Sequence, residues 1–184
     1  MTSGSDMKQE TAVYWTSFAT PFGDWYIAST LQGVFLISIS GEESFFQRLK
    51  RHFEDADILE SPEANEDAVR MLKEYLEHRR DHFGPDPPLL DLRFATEFEQ
   101  EVWQAAQQIP FGTVTTYGEL SDKIEANSAQ AVGQALGRNR IPVFIPCHRI
   151  VQADHSLGGF TGGTRIKEFL LDIEGLKITD GKVS

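Results

Sequence analysis

The proline-rich run Gly84-Pro85-Asp86-Pro87-Pro88 divides this chain of 184 residues into two stretches with different patterns. Two consecutive prolines cannot continue a helix or an inner strand, so the run marks a boundary, which we place near residue 92. Ahead of it, aromatic and β-branched segments alternate with turn residues and predict an antiparallel meander over 12–19, 25–31 and 34–40. Two amphipathic helices covering one face of that sheet are predicted from apolar residues at helical spacing: Phe45, Leu49, Phe53, Val69, Leu72 and Leu76.

The second stretch is patterned for helices. Thr96 and Glu99 have the spacing of a capping box at a helix start, and Thr116 and Glu119 repeat it. Thr164 is expected to cap the last helix, which ends at a Glu-Gly pair.

A helix-turn-helix is predicted in the middle of this stretch. A short helix runs from Thr116 to about Ile124, residues 125–127 can turn, and a second helix runs from Ser128 to about Gly137. Helix pairs of this kind also occur in proteins that do not bind DNA, so the pattern alone leaves both interpretations open.

The distribution of charge bears on that choice. The formal net charge of −11 argues against nucleic acid as a partner, because DNA repels an acidic protein. The acidity belongs to residues 1–92, with 8 Lys+Arg against 17 Asp+Glu, whereas residues 93–184 have 9 against 11. Residues 126–150 contain Arg138, Arg140 and Arg149 and no acidic residue. A phosphate-facing surface is therefore compatible with the second stretch.

Several protein classes are disfavoured by composition. No apolar stretch approaches the roughly 20 residues of a membrane span, and Met1 to Glu10 lacks an apolar signal segment. We therefore expect a cytoplasmic protein. A single cysteine excludes an internal disulfide and a multi-cysteine zinc site, and the five histidines lack ligand spacing, so we expect no metal.

The single cysteine, Cys147, lies directly before His148. A free thiol has a pKa of about 8.5 and is mostly un-ionised at neutral pH, so a neighbouring imidazole can make it a nucleophile. Lone cysteines flanked by Ile and Val are more often inert core residues, and the Cys-His pair alone does not decide between the two interpretations.

Longer motifs extend this pair. In order, they are Ile109-Pro110-Phe111-Gly112-Thr113-Val114-Thr115-Thr116-Tyr117-Gly118-Glu119-Leu120, Ala131-Val132-Gly133, Asn139, Ile145-Pro146-Cys147-His148-Arg149-Ile150-Val151, Gly159-Phe160-Thr161-Gly162-Gly163 and Lys167-Glu168-Phe169-Leu170-Leu171-Asp172-Ile173-Glu174-Gly175. Over residues 96–175 the chain resembles the O6-alkylguanine-DNA alkyltransferases, also called methylated-DNA–protein-cysteine methyltransferases. The first 92 residues resemble that family only in general character.

The resemblance implies a reaction at Cys147, which would take an alkyl group from O6 of guanine by direct displacement. His148 would accept the thiol proton, in the family through a water, and Glu174 would orient the imidazole, as in a catalytic triad. Tyr117 would donate a proton to the departing guanine, and Asn139 would tie the turn before the cysteine to the helix-turn-helix. No cofactor is expected, and each molecule should react once because no second thiol can resolve the thioether.

The partner implied is double-stranded DNA carrying alkylated guanine, bound through the minor groove by a monomer, with the damaged base flipped into a pocket. O4-alkylthymine is left open as a second lesion. The expected pocket residues are Pro142, Ile150, Phe160 and Thr161. The candidate DNA contacts are Thr116, Gln130, Ala131, Arg138, Arg140 and Arg149.

Two positions depart from the family pattern. Gln130 stands where the family usually has an arginine that fills the gap left by the flipped base, so we expect weaker DNA binding. Phe160 stands where a tyrosine is common, which keeps an apolar wall and loses a hydroxyl.

The patterns and the resemblance together predict an α+β fold. A small ribonuclease-H-like α/β domain is expected over residues 1–92, followed by a mainly helical winged helix-turn-helix domain over residues 93–184.

Other functions remain as alternatives. An alkyltransferase-like damage sensor would bind and flip the lesion without repairing it, but such proteins lack the cysteine. A thiol hydrolase could use Cys147, His148 and Glu174, although no oxyanion-hole signature supports it. A plain winged-helix regulator would have no reason to contain Pro-Cys-His-Arg.

Overall fold

The computed structural model of the protein describes residues 12–81, 83 and 87–184. The predicted meander is present and is extended by a fourth strand that the sequence patterns did not indicate. This strand pairs in parallel with the first, which gives the sheet order β3-β2-β1-β4. The strands are β1 (Val13–Thr20), β2 (Gly23–Thr30), β3 (Gly33–Ser38) and β4 (Ile58–Glu60).

The first two helices lie on opposite faces of this sheet, which corrects the prediction that both cover one face. They are α1 (Glu42–His52) and α2 (Glu66–Leu76). Successive residues of a strand point to opposite faces of the sheet, and β2 has apolar residues on both faces. Ala28 packs with Phe45 of α1, whereas Trp25 and Ile27 belong to the core that contains Leu72 of α2. Each face of the sheet is therefore covered by a different helix.

The predicted helices of the second stretch are present, and both capping boxes form, at Thr96 with Glu99 and at Thr116 with Glu119. Gly163, with φ of 85°, precedes the last helix in place of the expected Thr164 cap. No helix in the described ranges is long and apolar enough to cross a membrane. The bounds are α3 (Glu97–Gln107), α4 (Tyr117–Lys123), α5 (Ala129–Gly137) and α6 (Thr164–Ile173).

Two small sheets complete the second stretch. The first joins two parallel strands and brings the start of α4 beside the segment that follows Cys147. The second is an antiparallel pair near the C-terminus. The strands are β5 (Thr115–Thr116), β6 (Ile150–Val151), β7 (Ile178–Thr179) and β8 (Lys182–Val183).

One hydrophobic core spans the predicted boundary near residue 92. It joins Trp25 and Leu72 to Val102 and Trp103. Residues 84–86 of the proline-rich run lie outside the described residues, as does the segment 1–11. The division into domains over 1–92 and 93–184 stays a prediction, and the shared core shows that the two stretches pack against each other.

Candidate active site

Cys147 begins a single turn of 3₁₀ helix, Cys147–Arg149, at the end of a segment in which every residue from 141 to 150 is buried. The Nδ2 atom of Asn139 donates to the Cys147 Sγ at 3.1 Å and to the carbonyl of Ile145 at 3.0 Å. Burial raises the pKa of the Cys147 thiol, and the hydrogen bond from Asn139 opposes that shift. The resting thiol is therefore protonated and needs a base to become a nucleophile.

His148 can supply that base. Its Nε2 lies 2.8 Å from Oε1 of Glu174, and both side chains are buried. Burial lowers the pKa of His148 although Glu174 favours the cation, so the resting imidazole is neutral. A neutral imidazole facing a carboxylate through Nε2 has its hydrogen there. Nδ1, which has no hydrogen-bond partner among the described residues, is then the basic nitrogen.

The negative charge of Glu174 is compensated by Arg149 in a buried ion pair. This contact corrects the prediction that Arg149 contacts DNA. Arg149 is buried, its Nε lies 3.0 Å from both carboxylate oxygens, and its Nη1 donates to the carbonyl of Ile109 at 2.6 Å. The backbone N–H of Gly112, whose φ of 72° favours glycine, donates to Oε2 at 3.0 Å. Burial alone would raise the pKa of Glu174, but the hydrogen bonds from His148 and Arg149, together with the charge of Arg149, lower it to about 2.

Tyr75 belongs to the same site and was not found from the sequence. Its hydroxyl donates to Oε1 of Glu174 at 2.6 Å and lies 3.2 Å from Nε2 of His148. The residue lies on α2, 73 positions before His148. The sequence analysis did not single it out, because no local signal indicated the polar contact.

Lys167 is a second residue that sequence analysis missed. It is fully buried on α6, and its Nζ donates to the carbonyl of Ile150 at 2.6 Å and to that of Leu157. Burial lowers the pKa of Lys167 to about 8, while its proximity to Cys147 favours the charged form. A lysine inside the apolar stripe of α6 was the available sequence signal.

A cleft of about 360 Å³ opens onto Cys147. Tyr117, predicted as the proton donor, lines it together with Phe160 and Thr161, which were predicted as pocket residues. Its other lining residues are Gly133, Leu136, Gly137 and Gly159. Pro142 and Ile150 were predicted to line the pocket, but both are buried beside it in the core and are not part of its wall.

A neighbouring cleft of about 440 Å³ shares Tyr117 and Gly133 with the first. Gln130, Gln134 and Gln152 line it, together with Ala129. Among the described residues, the side chains that line this cleft are uncharged.

The remaining candidate DNA contacts divide between surface and interior. Gln130 is exposed in the first turn of α5, Ala131 is half-buried there, and Arg138 is exposed at the C-terminal end with its Nη1 3.3 Å from Glu99. These three positions are accessible to a large ligand.

Thr116 is not free for such a ligand, which corrects its prediction, whereas Arg140 is half-buried and its contact with DNA stays a prediction. The Thr116 side chain is buried and caps α4. The Arg140 guanidinium is half-buried, with its Cζ 4.9 Å from the centre of the Phe35 ring and 5.7 Å from that of Trp103. Sequence charge alone could not show that the Arg140 guanidinium lies over two aromatic rings.

These contacts define the chemistry that the site can perform. A buried thiol lies at a cleft, a histidine beside it has a free basic nitrogen, and an ionised carboxylate supports that histidine. Tyr117, whose pKa is raised by burial and by Cys147, stays protonated and faces the same cleft as an acid. The arrangement suits nucleophilic attack by sulfur with a proton delivered to the leaving group.

Comparison with known proteins gives one consistent result. Residues 97–176 match the family model described as 6-O-methylguanine DNA methyltransferase, DNA binding domain. The inducible methylated-DNA–protein-cysteine methyltransferase of Bacillus subtilis is 32% identical over 88% of this chain and 90% of its own length. The enzyme of that name from Haemophilus influenzae is 36% identical over 92% of this chain and 90% of its own.

Solved structures agree. The crystal structure of Mycobacterium tuberculosis OGT in complex with DNA superposes with a TM-score of 0.74 at 32% identity, covering 88% of this chain and 92% of that chain. The α+β fold is thus shared along nearly the whole of both proteins. Similarity of this extent, in sequence and in fold, means that the chain belongs to the family of methylated-DNA–protein-cysteine methyltransferases.

Proposed function

We propose that this protein repairs DNA by transferring one alkyl group from O6 of guanine, with O4 of thymine as a second lesion, to Cys147. The observation that carries the proposal is the placement of the single thiol at a cleft, with a histidine-glutamate pair behind it. The thioether product is stable and the chain has no second cysteine to resolve it, so each molecule reacts once.

The thiol is activated by His148. Its proton passes to Nδ1, directly or through a water, and the imidazolium is stabilised by Glu174 through Nε2. The Asn139 Nδ2 hydrogen bond stabilises the thiolate that remains. As the sulfur–carbon bond forms, the bond between the alkyl carbon and O6 breaks.

The leaving group is the guanine, which departs with the electron pair of that bond. Tyr117 donates its phenolic proton to the ring, so that a neutral base leaves. Phe160 provides an apolar wall beside the alkyl group, and Thr161 can donate to O6. The cleft is therefore lined for a purine with a small alkyl substituent.

We propose that DNA binds through the minor groove on the helix pair α4 and α5. Gln130 and Ala131 in the first turn of α5, and Arg138 directly after its end, are exposed or half-buried positions that support this surface. The finer fold description belongs to the same proposal: a ribonuclease-H-like first stretch and a winged helix-turn-helix in the second. The predicted monomeric state and cytoplasmic location stay predictions.

The proposal is tested by intact mass spectrometry after incubation with a duplex carrying O6-methylguanine. We expect one added methyl group per molecule, and peptide mapping should locate it on Cys147. Lesion binding without a mass gain would favour the damage-sensor alternative. Sustained turnover of an activated ester with no stable adduct would favour the thiol hydrolase.

Gln130→Arg should tighten duplex binding. The added cation near phosphates should steepen the dependence of log affinity on log salt by up to about one unit, and the longer planar side chain can fill the site vacated by the flipped base. Binding at two salt concentrations and single-turnover alkylation of duplex and single-stranded substrates measure the two effects. The ratio of the alkylation rate on duplex to that on single strands should be smaller for the wild type than for Gln130→Arg.

Gln134→Arg is the matched control, because it adds the same charge one turn further along α5 in the same cleft. Both variants should steepen the salt dependence, but only Gln130→Arg should speed alkylation of duplex. If Gln130→Arg has the affinity, salt dependence and duplex rate of the wild type, residue 130 does not enter the groove.

A further inference from the structure

Three polar atoms from distant parts of the chain form a buried triangle behind Cys147. Nε2 of His148 lies 2.8 Å from Oε1 of Glu174, the Tyr75 hydroxyl lies 2.6 Å from the same oxygen, and that hydroxyl lies 3.2 Å from Nε2. Tyr75 is 1% exposed and comes from α2. The proposed mechanism gives this hydroxyl no role, yet it is the contribution of the first stretch of the chain to the site.

The directions of the hydrogen bonds follow from chemistry. Burial beside Glu174 raises the pKa of Tyr75, so the phenol keeps its hydrogen, and an ionised carboxylate can only accept. The hydroxyl hydrogen therefore points to Glu174. A lone pair of the same oxygen is left facing Nε2 of His148.

We propose that Tyr75 is a positioning residue for His148. Its oxygen is a second acceptor, beside Glu174, for the Nε2 hydrogen, so that Nδ1 stays free for the proton of Cys147 and the imidazolium is stabilised once that proton arrives. This role rests on the proposed use of His148 as the base.

Removing the Tyr75 hydroxyl has two opposing effects on the pKa of His148, and the charged groups around the imidazole bear on both. Lys167 and Glu174 act on the imidazole from α6 and its C-terminal end, Arg149 acts from the same turn as His148, and Cys147 adjoins it. Removing the hydroxyl also takes one donor from Glu174, which by itself would favour the imidazolium. Glu174 retains its hydrogen bonds from Arg149 and Gly112, so its carboxylate stays ionised in the absence of the hydroxyl. The proposal requires that the loss of the acceptor at Nε2 outweighs the loss of this donor, and the sign of the pKa shift tests that requirement.

The test uses the single cysteine as its own reporter. Iodoacetamide alkylates Cys147 without any DNA, and its rate follows the thiolate fraction. In Tyr75→Phe, which keeps the ring, we expect the rate at neutral pH to fall about 3- to 10-fold, the range expected for one hydrogen bond. We also expect the apparent pKa of the thiolate, read from the pH-rate profile, to move upward by up to about one unit.

Tyr26→Phe is the control, because Tyr26 packs on the opposite face of the sheet with Trp15 and Phe45. It should leave the rate and the profile unchanged. An unchanged profile in Tyr75→Phe, or a downward shift, would overturn the proposal. Since no DNA takes part, these outcomes are independent of whether the protein repairs alkylated guanine.

A second measurement determines the tautomer of His148 in the wild-type protein. Nitrogen NMR of the labelled wild-type protein distinguishes the two imidazole tautomers, and a His148→Gln variant identifies the signal. We expect the resting imidazole of His148 to have its hydrogen on Nε2. A hydrogen on Nδ1 would show that the triangle does not set the tautomer, and the proposal would be wrong.

Discussion

Glu174→Gln should slow alkyl transfer about 100-fold or more, because a neutral amide cannot stabilise the imidazolium of His148. The amide also offers a donor to Nε2, which favours the tautomer with hydrogen on Nδ1 and occupies the basic nitrogen. Single-turnover kinetics with a saturating lesion duplex measure this loss. A rate equal to that of the wild type would remove Glu174 from the mechanism.

The same substitution should destabilise the protein, contrary to what a position at a helix end suggests. Glu174 is 5% exposed and compensates the buried Arg149, and breaking a buried ion pair by removing one partner costs about 3 to 5 kcal/mol. Denaturant unfolding measures this decrease in the free energy of unfolding.

The loss of unfolding free energy in Glu174→Gln should depend on pH, in a direction that follows from the pKa of Glu174. The pKa of Glu174 is lowered from 4.5 to about 2 in the folded protein, so its ionised form stabilises the fold above the unfolded-state pKa. The stability difference between wild type and Glu174→Gln should be greatest above about pH 5 and should shrink as the pH falls toward 2. A difference that is constant across this range would contradict the ion-pair explanation.

A double variant separates the two roles of Glu174. Arg149→Met with Glu174→Gln removes both buried charges, so it should be more stable than Glu174→Gln alone. Alkyl transfer should stay slow, because His148 still lacks its carboxylate. If the double variant recovers the rate together with the stability, the slow transfer of the single variant came from unfolding and not from chemistry.

Cys147→Ser should abolish transfer, with a loss of at least about 10⁴-fold. A hydroxyl is a far weaker acid than a thiol, and His148 cannot ionise it at neutral pH. The protein should still fold and bind duplex DNA, because serine can accept the hydrogen bond that Asn139 gives to Sγ. The variant should therefore hold the lesion without changing it.

Intact mass spectrometry and a binding titration, performed on one preparation, test both statements. Cys147 is the single cysteine, so a methyl group on Cys147→Ser would have to reside on another kind of residue. That result would mean that Cys147 is not the acceptor. Loss of duplex binding together with transfer would instead mean that the thiol side chain helps to hold the DNA.

Much of the second stretch could be predicted from sequence because its signals are local. A capping box is satisfied within four residues, so Thr96 and Thr116 indicated the starts of α3 and α4 that the structure shows. The Pro-Cys-His-Arg segment and its flanking motifs likewise lie in continuous runs, and they indicated the family directly.

Contacts between distant residues required the tertiary structure. The strand β2 was visible in the sequence, but which helix covers which face depends on how the chain crosses the sheet, and α1 and α2 took opposite faces. Arg149 looked like a surface cation until its partner Glu174 was found 25 residues away.

The sequence by itself determined the meander, the helices, the family and the candidate nucleophile, because these depend on residue type and short spacing. The tertiary structure alone decided which polar groups are buried together behind Cys147. A hydrogen bond between Tyr75 and Glu174 spans 99 positions, and such a pairing is selected by the packing of the whole core rather than by any local pattern.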